Sequence, residues 1–295
     1  MGSCSSCNSG NSPEGGGCSM AGGQPPKAPS ASLEDEKLKK NLQRIAHKIL
    51  VLSGKGGVGK STVAVNLAIA LSLEGKRVGL LDVDFHGPSI PTLLHLEGRR
   101  PEVTDHGTML PIAIEGGMKV MSLGFLLNRP EDAVIWRGPL KIGAIKQLLG
   151  DVEWGDLDYL VIDFPPGTGD EPLTVANLIP EADGAVVVTT PQDVSTIDVS
   201  KSVTFCRQLN IPVLGVVENM SGLVCPHCSQ VIDLFKQGGG EEMAKRMNVP
   251  FLGRIPLDPQ IVESSDAGEP FIFHHKNTEA AEAFRRIVAP LLALP

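Results

Sequence analysis

The stretch Gly54-Lys55-Gly56-Gly57-Val58-Gly59-Lys60-Ser61-Thr62 constrains this chain more than any other. It follows the β-branched run Ile49–Leu52 and opens the helical run Lys60–Glu74. Glycines at this spacing let successive backbone N–H groups turn toward one anion, and the helix N-terminus adds positive partial charge. In that context Lys60 is placed to reach the β- and γ-phosphates of a nucleotide such as ATP. The Ser61 hydroxyl is placed to ligate Mg²⁺. Gly54, Gly56, Gly57, Val58, Gly59 and Thr62 complete the cradle. The second lysine, Lys55, brings another cation to the phosphates.

The remaining pattern agrees with a strand–loop–helix setting. Short apolar runs at Val78–Asp82, Tyr159–Asp163, Ala185–Thr190, Val213–Glu218 and Phe251–Ile255 alternate with helical runs. Those helical runs are Leu140–Leu149, Leu173–Ile179, Ile197–Leu209 and Gly240–Met247, and a last helix is expected over Thr278–Leu292. Apolar strands separated by helices predict an α/β fold with a mostly parallel sheet covered on both faces. The stretch 104–124 reads as an inserted hairpin. The run Leu33–His47 reads as a charged amphipathic helix. Residues 1–32 are rich in Gly, Ser, Pro and Cys and read as a flexible tail ahead of one folded domain over 33–295.

Composition narrows the function classes. Lys and Arg number 26 against 34 Asp and Glu, a net charge of −8, which speaks against nucleic acid as the partner. With Phe 9, Trp 2 and Tyr 1, the chain is too poor in aromatics for base-stacking platforms. It contains no run of 18 apolar residues, and its N-terminus has no apolar signal core. A cytoplasmic protein with no membrane partner is expected. The pattern Met1-Gly2-Ser3-Cys4-Ser5-Ser6 fits N-myristoylation, but a signal this short is discounted.

Three aspartates sit where a phosphate loop needs acids. Asp82 and Asp84 lie at the end of the second strand, and Asp163 ends an apolar strand as a Walker B carboxylate does. Asp163 is expected to support Mg²⁺, directly or through water. A carboxylate at the position of Asp82 or Asp84 suits a Mg-bound or an attacking water. The loop Phe164–Asp170 follows, and its Gly167 is placed to donate an N–H to the γ-phosphate. Asn219 ends another strand, where its amide suits a base such as adenine or simply a turn. Pro256-Leu257-Asp258-Pro259 is either a base-lining segment or a kinked loop.

The six cysteines are unevenly placed. Cys206 falls inside a helical run and reads as buried filler. Cys225-Pro226-His227-Cys228 is a CxxC, which alone fits a zinc half-site, an Fe–S half-site, a redox pair or inert thiols. Two thiolates do not complete a four-ligand site, but two copies across a symmetric dimer do. Zinc and [4Fe–4S] both accept four thiolates.

Several stretches together resemble one family. They are Gly54–Thr62, Asp84-Phe85-His86-Gly87-Pro88-Ser89, Trp136-Arg137-Gly138-Pro139, Asp163–Asp170, Glu218–Ser221 with Cys225–Cys228, and Gly253–Pro259. The first resembles the deviant Walker A ATPases, which include MinD, ParA and the arsenite-pump ATPase. That likeness implies that Lys55 crosses to the partner's nucleotide in an ATP-sandwiched homodimer, and that Asp84 serves the hydrolytic water. The whole set resembles the Mrp/ApbC iron–sulfur cluster carrier ATPases and covers roughly 45–290. It implies a bridging [4Fe–4S] cluster on Cys225 and Cys228 of two subunits, handed to apo iron–sulfur proteins with ATP binding or hydrolysis. Cys4, Cys7 and Cys18 resemble the N-terminal cluster segment of the eukaryotic scaffolds, but that segment uses four cysteines at another spacing. Two other readings are a MinD/ParA-type positioning ATPase and a zinc-bridged dimeric chaperone ATPase.

Overall fold

The computed structural model describes residues 33–127, 136, 138–179, 181–225, 228 and 230–295. The tail 1–32, with Cys4, Cys7 and Cys18, lies outside the described residues. So do Arg137, Pro226 and His227 of the motifs above.

In chain order the elements are α1 (Leu33–Leu42), β1 (Ile45–Ser53), α2 (Lys60–Leu73), β2 (Val78–Asp82), α3 (Ile90–Leu93), β3 (Ile112–Ala113) and β4 (Lys119–Ser122). They continue as α4 (Gly138–Gly150), β5 (Leu157–Asp163), α5 (Asp170–Leu178), β6 (Gly184–Thr189), α6 (Asp193–Gln208) and β7 (Val213–Glu218). Then come β8 (Leu223–Val224), β9 (Val231–Ile232), α7 (Gly239–Met247), β10 (Phe251–Arg254), α8 (Pro259–Asp266), α9 (Phe271–His274) and α10 (Glu279–Val288).

Eight strands form one sheet in the order β10-β7-β6-β1-β5-β2-β4-β3, parallel throughout except for the β3–β4 pair. The phosphate-loop strand β1 lies in the middle, between β5 and β6. The chain steps from β1 to β2 in one direction and from β6 to β7 in the other. Right-handed crossovers therefore place α2 and α6 on opposite faces and open a crevice at the carboxyl end of β1.

Because helices cover both faces, the central strands are apolar on both sides rather than alternating. Ile49, Leu50 and Val51 of β1 and Val161 and Ile162 of β5 are fully buried. The helix α2 is apolar almost all round, with Val63, Ala64, Leu67, Ala68, Ile69 and Leu71 fully buried, and packs against α10 as well as β5 and β2. In α10, Ala280, Ala281, Phe284 and Ile287 are buried, so the last helix docks on the body.

Two local expectations are corrected. The strand β1 begins at Ile45, so His47 lies on a strand and α1 ends at Leu42. Backbone pairing of Ile45 and His47 with Leu157 and Tyr159 outweighs the helical charge pattern there. The stretch 104–124 is not a separate insertion. Its β4 extends the main sheet parallel to β2, and only the two-residue β3 folds back on it.

Candidate functional site

The loop from Gly54 to Gly59 leaves the carboxyl end of β1 and turns into α2 through Gly59, whose φ of 78° is left-handed. No side chain caps α2. Its first N–H groups remain turned to the loop, which is the arrangement an anion needs. The two ends of the loop have little room for other residues. A Cβ on Gly54 would come within 2.3 Å of the backbone of Asp198 in α6, and one on Gly59 within 2.3 Å of Asn219 Nδ2. A cleft of about 300 Å³ opens over the loop, lined by Lys55, Gly57, Lys60, Thr62, Asp84 and Pro166 among others.

Lys60 is buried, and its ammonium stands 2.7 Å from Asp163 Oδ1 and 3.5 Å from Asp84 Oδ2. The sheet register puts Asp82 beside Asp163, so a third carboxylate lies next to the two that meet Lys60. Burial first, and then the Asp163 charge, push the Asp82 carboxyl up to about 8. Burial also raises Asp163, opposed by Lys60. Asp163 Oδ2 is buried with no hydrogen-bond partner among the described residues. An orphaned carboxylate oxygen one side chain away from Lys60 and Ser61 fits a divalent cation well.

The aspartates divide the work. Asp82 accepts from the Asp84 N–H at 3.0 Å and from the Ser122 hydroxyl at 2.9 Å, so it anchors the start of the following loop. Asp84 accepts from the His86 N–H at 3.1 Å and rounds the loop back over the crevice. Lys55 is half-buried on the phosphate loop, and its ammonium meets no carboxylate among the described residues. The Gly167 N–H donates to the Ser53 carbonyl at 2.9 Å, so the loop after β5 rests on the end of β1.

Asn219 does something that sequence reading did not anticipate. Its amide donates to the Val58 carbonyl at 2.9 Å and so props the phosphate loop from the side. The preceding Glu218 is fully buried at the end of β7. It accepts from the Ser221 hydroxyl at 2.6 Å, the Gly238 N–H at 3.0 Å and the Gly240 N–H at 2.5 Å. Arg254 Nε lies 3.3 Å from the same carboxylate. Between these contacts β8 and β9 pair antiparallel as a hairpin. Asp258, in the predicted base-lining segment, caps α8 by accepting from Gln260 N–H at 2.9 Å, and Leu257 N–H donates to Gly222 at 2.7 Å. That segment therefore braces the hairpin base.

Cys225 follows β8, with its N–H donating to the Gln230 carbonyl at 2.9 Å, and Cys228 is exposed. Among the described residues no set of three or more His, Cys, Asp or Glu side chains gathers into a metal site. Cys206 is buried in α6, and burial pushes its thiol up to about 12, which makes it inert. No described helix is long and apolar enough to cross a membrane.

The groups that sequence reasoning missed are Glu218 and the charged trio His86, Lys141 and Glu171. Lys141 and Glu171 lie outside the motifs above, and His86 and Glu218 lie inside them with no role that the sequence assigns, since each acts through partners distant in the chain.

Comparison with known proteins follows the same lines. A family model for the NUBPL iron-transfer P-loop NTPases, in the ParA group, matches residues 44–292. The chain is 54% identical over 255 residues to the iron-sulfur cluster carrier protein of Methanocaldococcus jannaschii, covering 86% of this chain and 87% of that one. It is 50% identical over 257 residues to the cytosolic Fe-S cluster assembly factor NUBP2 of Bos taurus, covering 86% and 94%. Its fold matches that of a nucleotide-binding protein from Archaeoglobus fulgidus in complex with ADP, with a TM-score of 0.72 and 43% identity over 81% of this chain and 93% of that one.

Proposed function

We propose, from the premise that this chain belongs to the NUBPL iron-transfer P-loop NTPase family, that it is an ATP-dependent carrier of iron–sulfur clusters. The carrying observation is the pairing of two unlike sites on one strand end. The end of β7 supplies Asn219 to the phosphate loop and Glu218 to the base of the cysteine hairpin. The cluster carriers among the relatives support the same reading.

Gly54, Gly56, Gly57, Val58, Gly59 and Thr62 form the phosphate cradle, with Lys60 neutralising the γ-phosphate. Ser61 and the orphaned Asp163 oxygen would hold Mg²⁺, which supplies charge stabilisation to the transferring phosphoryl group. Asp84 orients the attacking water. Lys55, with no carboxylate to hold it, reaches the nucleotide of a second copy. Cys225 and Cys228 of two copies grip one [4Fe–4S] cargo, since two thiolates fill half of a four-thiolate site. Apo iron–sulfur proteins receive it, in the cytoplasm, without nucleic acid or membrane as partners.

Iron, acid-labile sulfide and zinc should be measured in protein purified without oxygen, beside a Cys225→Ala/Cys228→Ala variant. The expected result is about four irons and four sulfides per dimer, lost in the variant. About one zinc per dimer and no sulfide, even after reconstitution with iron and sulfide, would overturn the carrier reading. That result would favour a zinc-bridged dimer.

A further inference from the structure

Glu171 stands in the first turn of α5, four residues beyond Gly167. Its two oxygens are shared between two other elements. Oε2 lies 2.8 Å from His86 Nε2, in the loop that carries Asp84. Oε1 pairs with the Lys141 ammonium from α4. That ammonium also stands over the Phe85 ring, 5.0 Å from its centroid. Phe85 itself is buried, with Trp136 edge-on to it at 6.4 Å. The two residues immediately after Asp84 are thus each gripped by the same ion pair, one through the carboxylate and one through the ammonium. The Glu171 and Lys141 side chains are 26% and 15% exposed, so solvent screens this pair less than an open surface pair.

The Asp84 loop has few other anchors on this side. One Asp84 oxygen accepts from the N–H groups of His86 and Gly87, within its own turn, and the other stands 3.5 Å from the Lys60 ammonium. Asp82 fixes where the loop begins. Nothing in that turn fixes how high His86 stands over the crevice, and Glu171 does. A base or water-orienting group displaced by about 1 Å can lose on the order of a hundredfold in rate.

We propose that the Lys141–Glu171 pair is a latch joining the Asp84 loop to the helix that follows the Gly167 loop, with Glu171 a positioning residue for nucleotide hydrolysis. The latch rests on the hydrolysis reading above and adds a residue to it. It acts through His86 and Phe85 and touches no phosphate. Its loss therefore lowers turnover and leaves nucleotide affinity in place.

The test is steady-state ATP hydrolysis by wild type, Glu171→Gln, His86→Gln and the double variant, with binding of a fluorescent ATP analogue and thermal melting measured on each. The expected kcat of either single variant falls about tenfold, with KM and analogue affinity within about twofold. The double variant is expected to be no slower than the slower single one, because both remove one contact. Lys141→Met, which keeps the chain over Phe85 without the charge, is expected to fall with them. His86 is largely exposed, so its variant keeps the test open even if Glu171→Gln melts early. Unchanged kcat in the single variants, or single effects that add in the double, would overturn the latch while leaving the hydrolysis reading intact. A wild type that hydrolyses no ATP would sink both.

Discussion

The phosphate loop leaves β1 and the cysteine hairpin follows β7, strands that flank β6 and end at the same edge of the sheet, yet the two are built to opposite standards. Around the loop, Lys60, Asp82, Asp84, Asp163 and Asn219 are all buried, and Cβ atoms at Gly54 and Gly59 have no space. Around the hairpin, Val231 is 59% exposed, Ile232 46% and Leu234 57%, and Cys228 is exposed. A site that stabilises charge during a reaction gains from donors fixed in advance and shielded from water. A site that must pass its load to another protein has to be reachable. In the first region Lys60, Asp84, Asp163 and Asn219 are held in place by contacts within one chain, with Lys55 left to a second copy. The second offers two thiols and an apolar margin, and in our reading a second copy completes it.

Removing Lys60 strikes the finished region hardest. In Lys60→Ala, ATP hydrolysis is expected to fall about 10³-fold, or about 4 kcal/mol of transition-state stabilisation. Steady-state phosphate release measures it. Hydrolysis within tenfold of wild type would break the comparison, because catalysis would then not reside in the preorganised cradle.

A matched pair of truncations tests burial itself. Leu67 in α2 is fully buried, while Val231 on the hairpin is 59% exposed. Leu67→Ala is expected to cost about 3 kcal/mol of unfolding free energy, and Val231→Ala less than about 0.5 kcal/mol. Denaturant titration reads both. Equal losses would mean that the hairpin margin is packed against something within the same chain.

The smallest effect sharpens the contact between the regions. Gly59→Ala meets a left-handed φ of 78° and the Asn219 amide at once. A methyl group there is expected to weaken ATP binding about tenfold, or about 1.4 kcal/mol, by calorimetry. A companion Asn219→Ala change should recover part of that loss, because it removes the obstructing amide. No recovery would place the whole cost in the backbone.

Much of the first region was legible in the sequence because its chemistry is local. Nine consecutive residues specify the cradle, and apolar runs ending in Asp82 and Asp163 locate the acids on strand ends. The edges Val78–Asp82 and Val213–Glu218 coincide with β2 and β7, since both strands are bounded by sharp turns. His47 went the other way because strand pairing with Tyr159 lies more than a hundred residues along the chain. Glu171 carried no signal for the same reason, and Glu218 stood in a quoted motif with no role assigned to it. An acid at a helix start or strand end looks like any other until distant partners, such as Lys141 or the Gly238 and Gly240 amides, are folded onto it. Asn219 was noted as a polar end of a strand. Its partner, the Val58 carbonyl, is a backbone group that no side-chain pattern reveals.

Glu218 gathers Ser221, Gly238 and Gly240 onto one carboxylate, so the excursion that carries Cys225 and Cys228 leaves and returns at nearly the same point. A loop with pinned ends adds to folding cost only slowly as it lengthens. Descendants of this chain can therefore extend, trim or re-sequence the arm without the sheet or the cradle registering the change. Heredity can treat the grip and the motor as separate inventions, clasped together by the adjacent Glu218 and Asn219 side chains.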